Sequence, residues 1–315
     1  AVEVILSSDQ PGEPFELWAR VDLLSCMTEY AEFPYPLHEL TGSLVLDQGQ
    51  WTFSNLEARN DTAVVRGGGR LLQEDGRQHL TFQLEASQLA LDEELHNAFS
   101  SESVHQLWDN LKLRGMIDVT AFQLDMISEP GRPPQTTIVF DAVPYPDISS
   151  IEPAWFPLRL EKLDGQIHYR DGQVVINQFQ GENGRSRIAS SVRCDFQNNG
   201  AWLLSLEDLS VDQLEIDRQF LNAAPPTLQA ALEPLELEGA LNLSGRFSVS
   251  KPAVVDAPIR TDWNINAALH QANAKLGVPV ESICGGVKFI GSRSGEMFEC
   301  FGLVDIDSML YKNIH

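Results

Sequence analysis

"LDGQIHYRDGQVVIN", residues 163–177, alternates apolar and polar side chains on both sides of Asp171-Gly172. Alternation with period two marks a strand with one covered face, and an Asp-Gly pair supplies the positive φ of a two-residue hairpin turn. The stretch predicts a β-hairpin in which Tyr169 stands opposite Val174 and Ile167 opposite Ile176, all four projecting from one face. Gln166, His168 and Asn177 take the other face.

The same pattern stands earlier in "LTGSLVLDQGQWTFSN", residues 40–55. Gly42, Leu44, Leu46, Gly49, Gln50 and Phe53 match Gly165, Ile167, Tyr169, Gly172, Gln173 and Ile176, and the register continues through Leu56 on Phe179 and Asn60 on Asn183. Further on, "LALDEEL" from Leu89 resembles "LEIDRQF" from Leu214, with Asp92 against Asp217. "LKLRGMIDVT" from Leu111 aligns with "LELEGALNLS" from Leu235, placing Gly115 on Gly239. Four matched blocks in one order make an internal repeat of roughly 120 residues. "PVESICGGVKF" from Pro279 echoes "PLHELTGSLVL" from Pro36 and opens a third copy. The expected division is a first repeat unit over 1–137, carrying the end of a preceding unit at its start, a second over 138–262, and the truncated beginning of a third over 263–315. A start without methionine and an end in mid-pattern suggest a piece of a longer repetitive protein.

Between these anchors the chain reads mostly as strand. "GSLVL", "QWTFSNL", "AVVRGGGRL", "HLTFQLEAS", "KLRGMIDVTAF", "TTIVFDAV", "GQIHY", "QVVINQFQ", "SRIASSVRCDF", "WLLSLEDLS", "GALNLSGRFSV" and "DWNINAALHQA" are short and mainly alternating. Asp75-Gly76, Asp171-Gly172, Asn183-Gly184 and Asn199-Gly200 supply turns, so the run is an antiparallel meander. Each unit carries one helical insertion, "LDEELHNAFSSESVHQLWDNL" from Leu91 and "IDRQFLNAAPPTLQAALEPL" from Ile216. Pro225-Pro226 breaks the second into two short helices. Proline-rich connectors follow at 128–135 and 251–258.

With 43% hydrophobic residues the 315-residue chain can bury a large core, and a formal charge of −23 leaves no basic stripe for nucleic acid. No stretch of about twenty apolar residues is present. The four cysteines, Cys26, Cys194, Cys284 and Cys300, lack CxxC spacing, which argues against a zinc ribbon. A Cys284–Cys300 bridge is conceivable; buried free thiols are the favoured reading. The seven histidines show no HxH or HExxH spacing, and His96 and His105 are out of phase on a helix. Gly67-Gly68-Gly69 lacks the Lys-Ser/Thr of a phosphate loop and reads as a strand kink or bulge. The acids of "LDEEL" suit a helix N-terminus. No active site, metal or cofactor is expected, and the chain is read as non-enzymatic.

The remaining signal is the apolar face. In the first unit the same registration pairs Leu46 with Trp51 and Leu44 with Phe53, with Ser43, Thr52 and Ser54 behind. Val287 and Phe289 are the candidates in the third copy. These residues either pack beneath the helical insertion of their own unit or face a ligand. About twenty helical residues per unit cannot roof a dozen strands, at 1.5 Å rise per residue, so part of the face is left over. Repetition of such units predicts an elongated body.

The order P-[LV]-x-x-[LI]-x-G, a strand, a Gly-Gln turn, then "LxLD", a helical piece and "LxLxGxLxLSG" resembles the AsmA-like proteins of bacterial envelopes, within the wider group of bridge-like lipid-transfer proteins. It is carried by Pro36 to Gln50, Leu160 to Gln173, Leu214 to Phe220, Leu235 to Gly245 and Pro279 to Phe289. Two extra residues between Pro157 and Gly165 depart from it. The resemblance implies a curved antiparallel sheet, a β-groove with short helical insertions. Its apolar face, including Leu44, Leu46, Trp51, Phe53, Ile167, Tyr169, Val174, Ile176, Val287 and Phe289, would shield phospholipid acyl chains moving between inner and outer membranes. It also implies a periplasmic location, with membrane contact through parts of the parent chain outside this sequence. In that bacterial setting the sequons at Asn60 and Asn242 would be idle. The alternative is a structural or glycan-binding envelope scaffold with a sealed core.

Overall fold

The alternating segments form strands in a computed structural model that describes residues 1–7, 16–74, 76–254, 256–275 and 277–311. Asp75 of the Asp75-Gly76 turn and His315 lie outside the described residues. Strands take 69% of the chain and helices 11%, so the fold is mainly β; the sheet is antiparallel and open rather than closed into a barrel. The chain divides into two units.

The first unit comprises residues 1–100, 115–143 and 167–171. Its strands are β1 (Val2–Ser7), β2 (Glu16–Tyr30), β3 (Phe33–Asp47), β4 (Gln50–Asn60), β5 (Ala63–Glu74), β6 (Arg77–Ala90), β7 (Met116–Ser128) and β8 (Gln135–Pro144), with helix α1 (Glu93–Ala98) after β6. Consecutive strands from β1 to β7 pair antiparallel. Ile167, His168 and Tyr169 stand opposite Ala142, Asp141 and Phe140 of β8.

The second unit comprises residues 101–114, 144–166 and 172–315. It holds α2 (Glu102–Leu111), β9 (Ser150–Ile151), most of β10 (Leu160–Arg170), β11 (Gln173–Asn183), β12 (Ser186–Phe196) and β13 (Trp202–Glu215). Then come α3 (Arg218–Ala223), α4 (Pro226–Leu232), β14 (Ala240–Lys251), β15 (Arg260–Lys275), β16 (Pro279–Ser294) and β17 (Met297–Tyr311). From β11 to β17 each strand again pairs with the next.

Matched sequence positions have matched backbone. Asp171 and Gly172 both have positive φ, 49° and 81°, as do Gln48 and Gly49 at 46° and 79°. Asn55 and Gln178 are left-handed at 52° and 55°, each inside a register shift, Phe53 to Leu56 on β4 and Ile176 to Phe179 on β11. Glu39, Lys162 and Ser282 repeat a left-handed residue at 54°, 52° and 54°. A side chain repeats as well: Asn60 Nδ2 donates to the Pro36 carbonyl and Asn183 Nδ2 to that of Arg159, both at 2.8 Å. Asp92 Oδ1 accepts from the Leu95 amide and Asp217 Oδ1 from that of Phe220, capping α1 and α3.

Four readings are corrected. The first insertion is two helices, like the second: Phe99 at φ −73°, ψ 134° leaves α1, and Ser101 begins α2 without any proline. "KLRG" is not strand, since Lys112 closes α2 in the left-handed conformation. Gly67-Gly68-Gly69 is not a bulge, because β5 and β6 stay in register through it; the bulge belongs to β4, opposite Gly68. A Cβ on Gly68 would lie 2.5 Å from the Phe53 carbonyl oxygen, so Gly68 makes room for the bulged segment of β4, while a Cβ on Gly67 or Gly69 would meet the Gln83 or Thr81 carbonyl of β6. Finally, of the cysteines only Cys194 is buried, while Cys26 and Cys300 are exposed. Cys284 stands opposite Ser308 and Cys300 opposite Gly291. At about 3.4 Å per residue along a strand, the two sulfurs cannot bridge.

Gly165, with φ 146°, has Ile176 Cγ2 at 2.9 Å and the Asn177 carbonyl at 3.2 Å from any added Cβ. Gly165→Ala is expected to lower the urea midpoint by the equivalent of about 1–3 kcal/mol. Gln166→Ala, on the exposed face next to it, should stay within about 0.5 kcal/mol.

Candidate functional site

The register of the first unit assembles two unbroken apolar rows. Across β1 to β7, Val4, Ala19, Leu46, Trp51, Leu71, Leu80 and Met126 stand in one ladder. Val2, Val21, Leu44, Phe53, Gly69, Phe82 and Leu124 stand in the next. The expected pairs Leu46–Trp51 and Leu44–Phe53 are among them. Where Gly69 leaves a gap, the Phe53 and Phe82 rings close over it with centroids 5.1 Å apart. Tyr169 stacks on Phe140 at 5.0 Å and 14°. The rows extend well past the predicted residues. Leu71, Leu80, Phe82, Leu124 and Met126 were missed because they lie beyond glycine or turn segments that hide the pairing, although their own strands alternate.

The opposite face is polar. Arg20 pairs with Asp22 at 2.9 Å, Arg66 with Glu57 at 2.9 Å, His79 with Asp125 at 3.2 Å and His168 with Asp141 at 2.6 Å. The hydrogen bond from Arg66 holds the Glu57 carboxyl below its ordinary range. Around the middle of β4 to β8 lies a depression of about 1010 Å³, where Phe53, Phe82, Leu84, Phe122 and Phe140 meet Thr52, Gln83, Arg70 and Gln123.

All ten candidate residues are half-buried. A sheet face under a full second protein layer is driven close to zero exposure, so in the first unit this intermediate state is that of a face shielded by its own neighbours. In the first unit α1 packs on β3, at the end of the strands rather than over the rows. There Tyr35, Ala58, Ala63, Leu89, Leu95 and Ala98 are buried, Phe33 and Phe99 meet edge-on at 5.4 Å, and Asn60 Nδ2 reaches Glu94 at 2.7 Å. Burial, then the nearby charges of Asp92, Glu94 and Asp61, pushes the Tyr35 hydroxyl up. Asn60 is 5% exposed, so its sequon is closed to modification.

The second unit treats its apolar face differently. Leu160, Leu163, Phe179, Val192, Cys194, Trp202, Leu204 and Val249 form a buried cluster with Leu107 of α2, and Leu111, Ile151 and Trp155 pack against it. Val249 is fully buried at 0% and Trp202 at 2%. A second cluster, with Val211, Leu214, Leu241 and Leu269, takes Ile216, Phe220 and Leu237 from the α3–α4 insertion. Val174 and Ile176 pack at the margin of the first cluster and Val287 at the margin of the second. Phe289 stands opposite Ile265. The candidates therefore fall in two settings: Leu44, Leu46, Trp51, Phe53, Ile167 and Tyr169 on the first unit's face, and in the second unit Val174, Ile176 and Val287 beside packed cores, with Phe289 next to the buried Ile265.

Among the described residues no three His, Cys, Asp or Glu side chains are grouped to hold a metal. No helix among them is long and apolar enough to cross a membrane. Comparison with known protein families, characterised proteins and solved structures found no match.

Burial raises the Cys194 thiol to about 12, with the Asp195 charge adding to it. Below pH 9 both folded and unfolded chains keep this proton, so it contributes nothing. As pH rises from about 9 to about 12 only the unfolded chain ionises, and stability falls. Thiol titration at pH 8 should therefore label Cys26 and Cys300 quickly and Cys194 only on unfolding. Removing the titrating group with Cys194→Ala should flatten the alkaline loss of stability above pH 9.

Proposed function

We propose that the chain is a non-enzymatic, lipid-shielding segment of a cell-envelope protein of the AsmA-like kind, whose apolar face carries phospholipid acyl chains between inner and outer membranes. The observation that supports this reading is the pair of apolar rows across β1 to β7, half-buried from β3 to β7, exposed at Val2 and Val4, and without a covering layer. A contiguous apolar surface of that length is costly in water unless a ligand covers it. Each methylene moved from water onto it would gain about 0.8 kcal/mol. The contacts are nondirectional and alike from strand to strand, so a chain can shift along the rows without breaking specific hydrogen bonds. The donors and acceptors needed to fix one ligand pose lie on the opposite face.

A second reading, a structural or glycan-binding scaffold with a sealed core, draws support from the second unit, where two helical insertions cover buried clusters. The two readings differ in what Leu46 and Tyr169 face.

Native mass spectrometry with lipid extraction, on the chain purified from a bacterial host in gentle detergent, separates them. The lipid reading expects bound phospholipid in amounts that scale with protein and fall severalfold in Leu46→Glu or Tyr169→Glu. Both variants should keep the wild-type circular dichroism, because a half-exposed carboxylate reaches water. Val249→Asp, which buries an unpaired charge, should unfold the protein, a cost of at least about 3 kcal/mol. A folded, lipid-free protein, or unfolding by Leu46→Glu and Tyr169→Glu, supports the sealed scaffold instead.

A further inference from the structure

Strands β14 to β16 alternate like the rest, and the side chains facing away from the buried clusters collect hydrogen-bond donors. Ser244, Asn266 and Lys288 stand in register across the three strands, and Arg246 stands opposite Asn264 one pleat along. The five surround a depression of about 470 Å³. Strands about 4.8 Å apart, with same-face residues about 6.8 Å apart along each, put all five on a patch of roughly 10 Å by 7 Å.

Their side chains are uncommitted. Lys288 has no carboxylate partner among the described residues, and neither Asn264, Asn266 nor Ser244 makes a side-chain hydrogen bond there. Arg246 lies 3.9 Å from Glu207, with the two side chains 76% and 52% exposed, a pairing worth about 0–1 kcal/mol. Asp208 lines the rim, Asp262, paired with Arg260, stands one pleat along from Asn264, and Glu299 and Asp305 flank Phe301 and Leu303 on β17. A guanidinium, an ammonium, two carboxamides and a hydroxyl offer donors in excess, which suits an acceptor-only group such as a phosphate.

Beside the donors the same face turns apolar. Lys288 stands opposite Leu303 and Ile290 opposite Phe301, and Ile290, Phe301 and Leu303 are 45%, 78% and 69% exposed. A free phosphate has no use for these three; an amphiphile has.

We propose that this patch binds the phosphate of an anionic lipid headgroup, Arg246 and Lys288 holding the charge, Asn264 and Asn266 the remaining oxygens, and Ile290, Phe301 and Leu303 entering the apolar layer beside it. The site lies on the face opposite the second unit's apolar clusters and does not rest on the acyl-chain reading above. In a chain of net charge −23 the attraction is local, so it weakens with salt over a Debye length of about 10 Å at 0.1 M.

The test is co-sedimentation of the full chain with vesicles of phosphatidylcholine alone and of phosphatidylcholine mixed with phosphatidylglycerol. Binding should require phosphatidylglycerol and fall as salt is added. Lys288→Gln should weaken it about fivefold and Lys288→Gln with Arg246→Gln roughly thirtyfold. Phe301→Ser with Leu303→Ser should weaken it too, while Gln166→Ala, at an exposed position outside both sites, leaves it unchanged. Lys288→Arg, keeping the charge, should restore binding and controls for folding. Equal binding to both vesicles, no binding, or no effect of the double cation variant overturns the proposal. So does a shift of the Asn264 and Asn266 side-chain amide resonances with inorganic phosphate in a protein that leaves vesicles untouched, which marks a free-phosphate site.

Discussion

Keeping one face apolar along strands of 11 to 16 residues is the constraint from which the rest follows. Side chains alternate with period two, so a single extra residue would throw everything beyond it onto the wrong face. The chain absorbs each extra residue in a left-handed bulge. On β4, Trp51 and Phe53 are followed, past Asn55, by Leu56, Ala58 and Asn60 on the same side; on β11, Val174 and Ile176 are followed, past Gln178, by Phe179, Gly181 and Asn183. Residues at these bulges are Glu39, Asn55, Gln88, Gln178, Asp208, Gln213, Gln271 and Ser282, none of them β-branched or aromatic. That choice is physical, since a branched Cβ in the left-handed region meets its own backbone.

The bulges also mark a change of environment. Past Asn55 the strand runs toward Ala58 and Asn60, buried near α1; before it stand the half-buried Trp51 and Phe53. On β11 the residues past Gln178, Phe179 and Gly181, are buried, while Val174 and Ile176 are again half-buried. β4 and β11 thus each carry a protein-covered part and a part whose cover is thinner, and the bulge is the joint between them. Asn60 and Asn183, bonded to the carbonyls of residues 36 and 159, tie the covered end to the strand before it.

Much of this was legible in the sequence, for reasons that can be named. Asp171-Gly172 reads as a turn because positive φ at two successive positions is tolerated by few residues, Gly49 takes the same place by its match to Gly172, and a two-residue turn fixes the register of everything it joins. Leu44 opposite Phe53 and Leu46 opposite Trp51 follow directly. The α1–α2 break at Phe99–Ser101 was hidden because no proline or glycine forces it. The bulges were hidden because Asn55 and Gln178 look like ordinary polar residues in an alternating strand. Their effect is visible only as a slip in the apolar phase, from 53 to 56 and from 176 to 179. Which parts of the face are roofed could not be read at all, since that depends on where Leu107, Trp155 and Phe220 land.

The two faces of the sheet divide the chemistry between them. The apolar side offers area and no direction, which suits a ligand held by exclusion from water and indifferent to position. The other side carries nearly all the ion pairs, yet most of these are exposed and worth little individually; their effect is to make that side costly to bury. Register discipline produces both results at once. Every polar residue kept on one side is a polar residue kept off the other, and the same alternation that lines up Leu46 with Trp51 places Lys288 beside Asn266. A sheet built this way acquires an apolar surface and an electrostatically distinct back without any further specification, and the insertions only decide how much of the apolar side stays open.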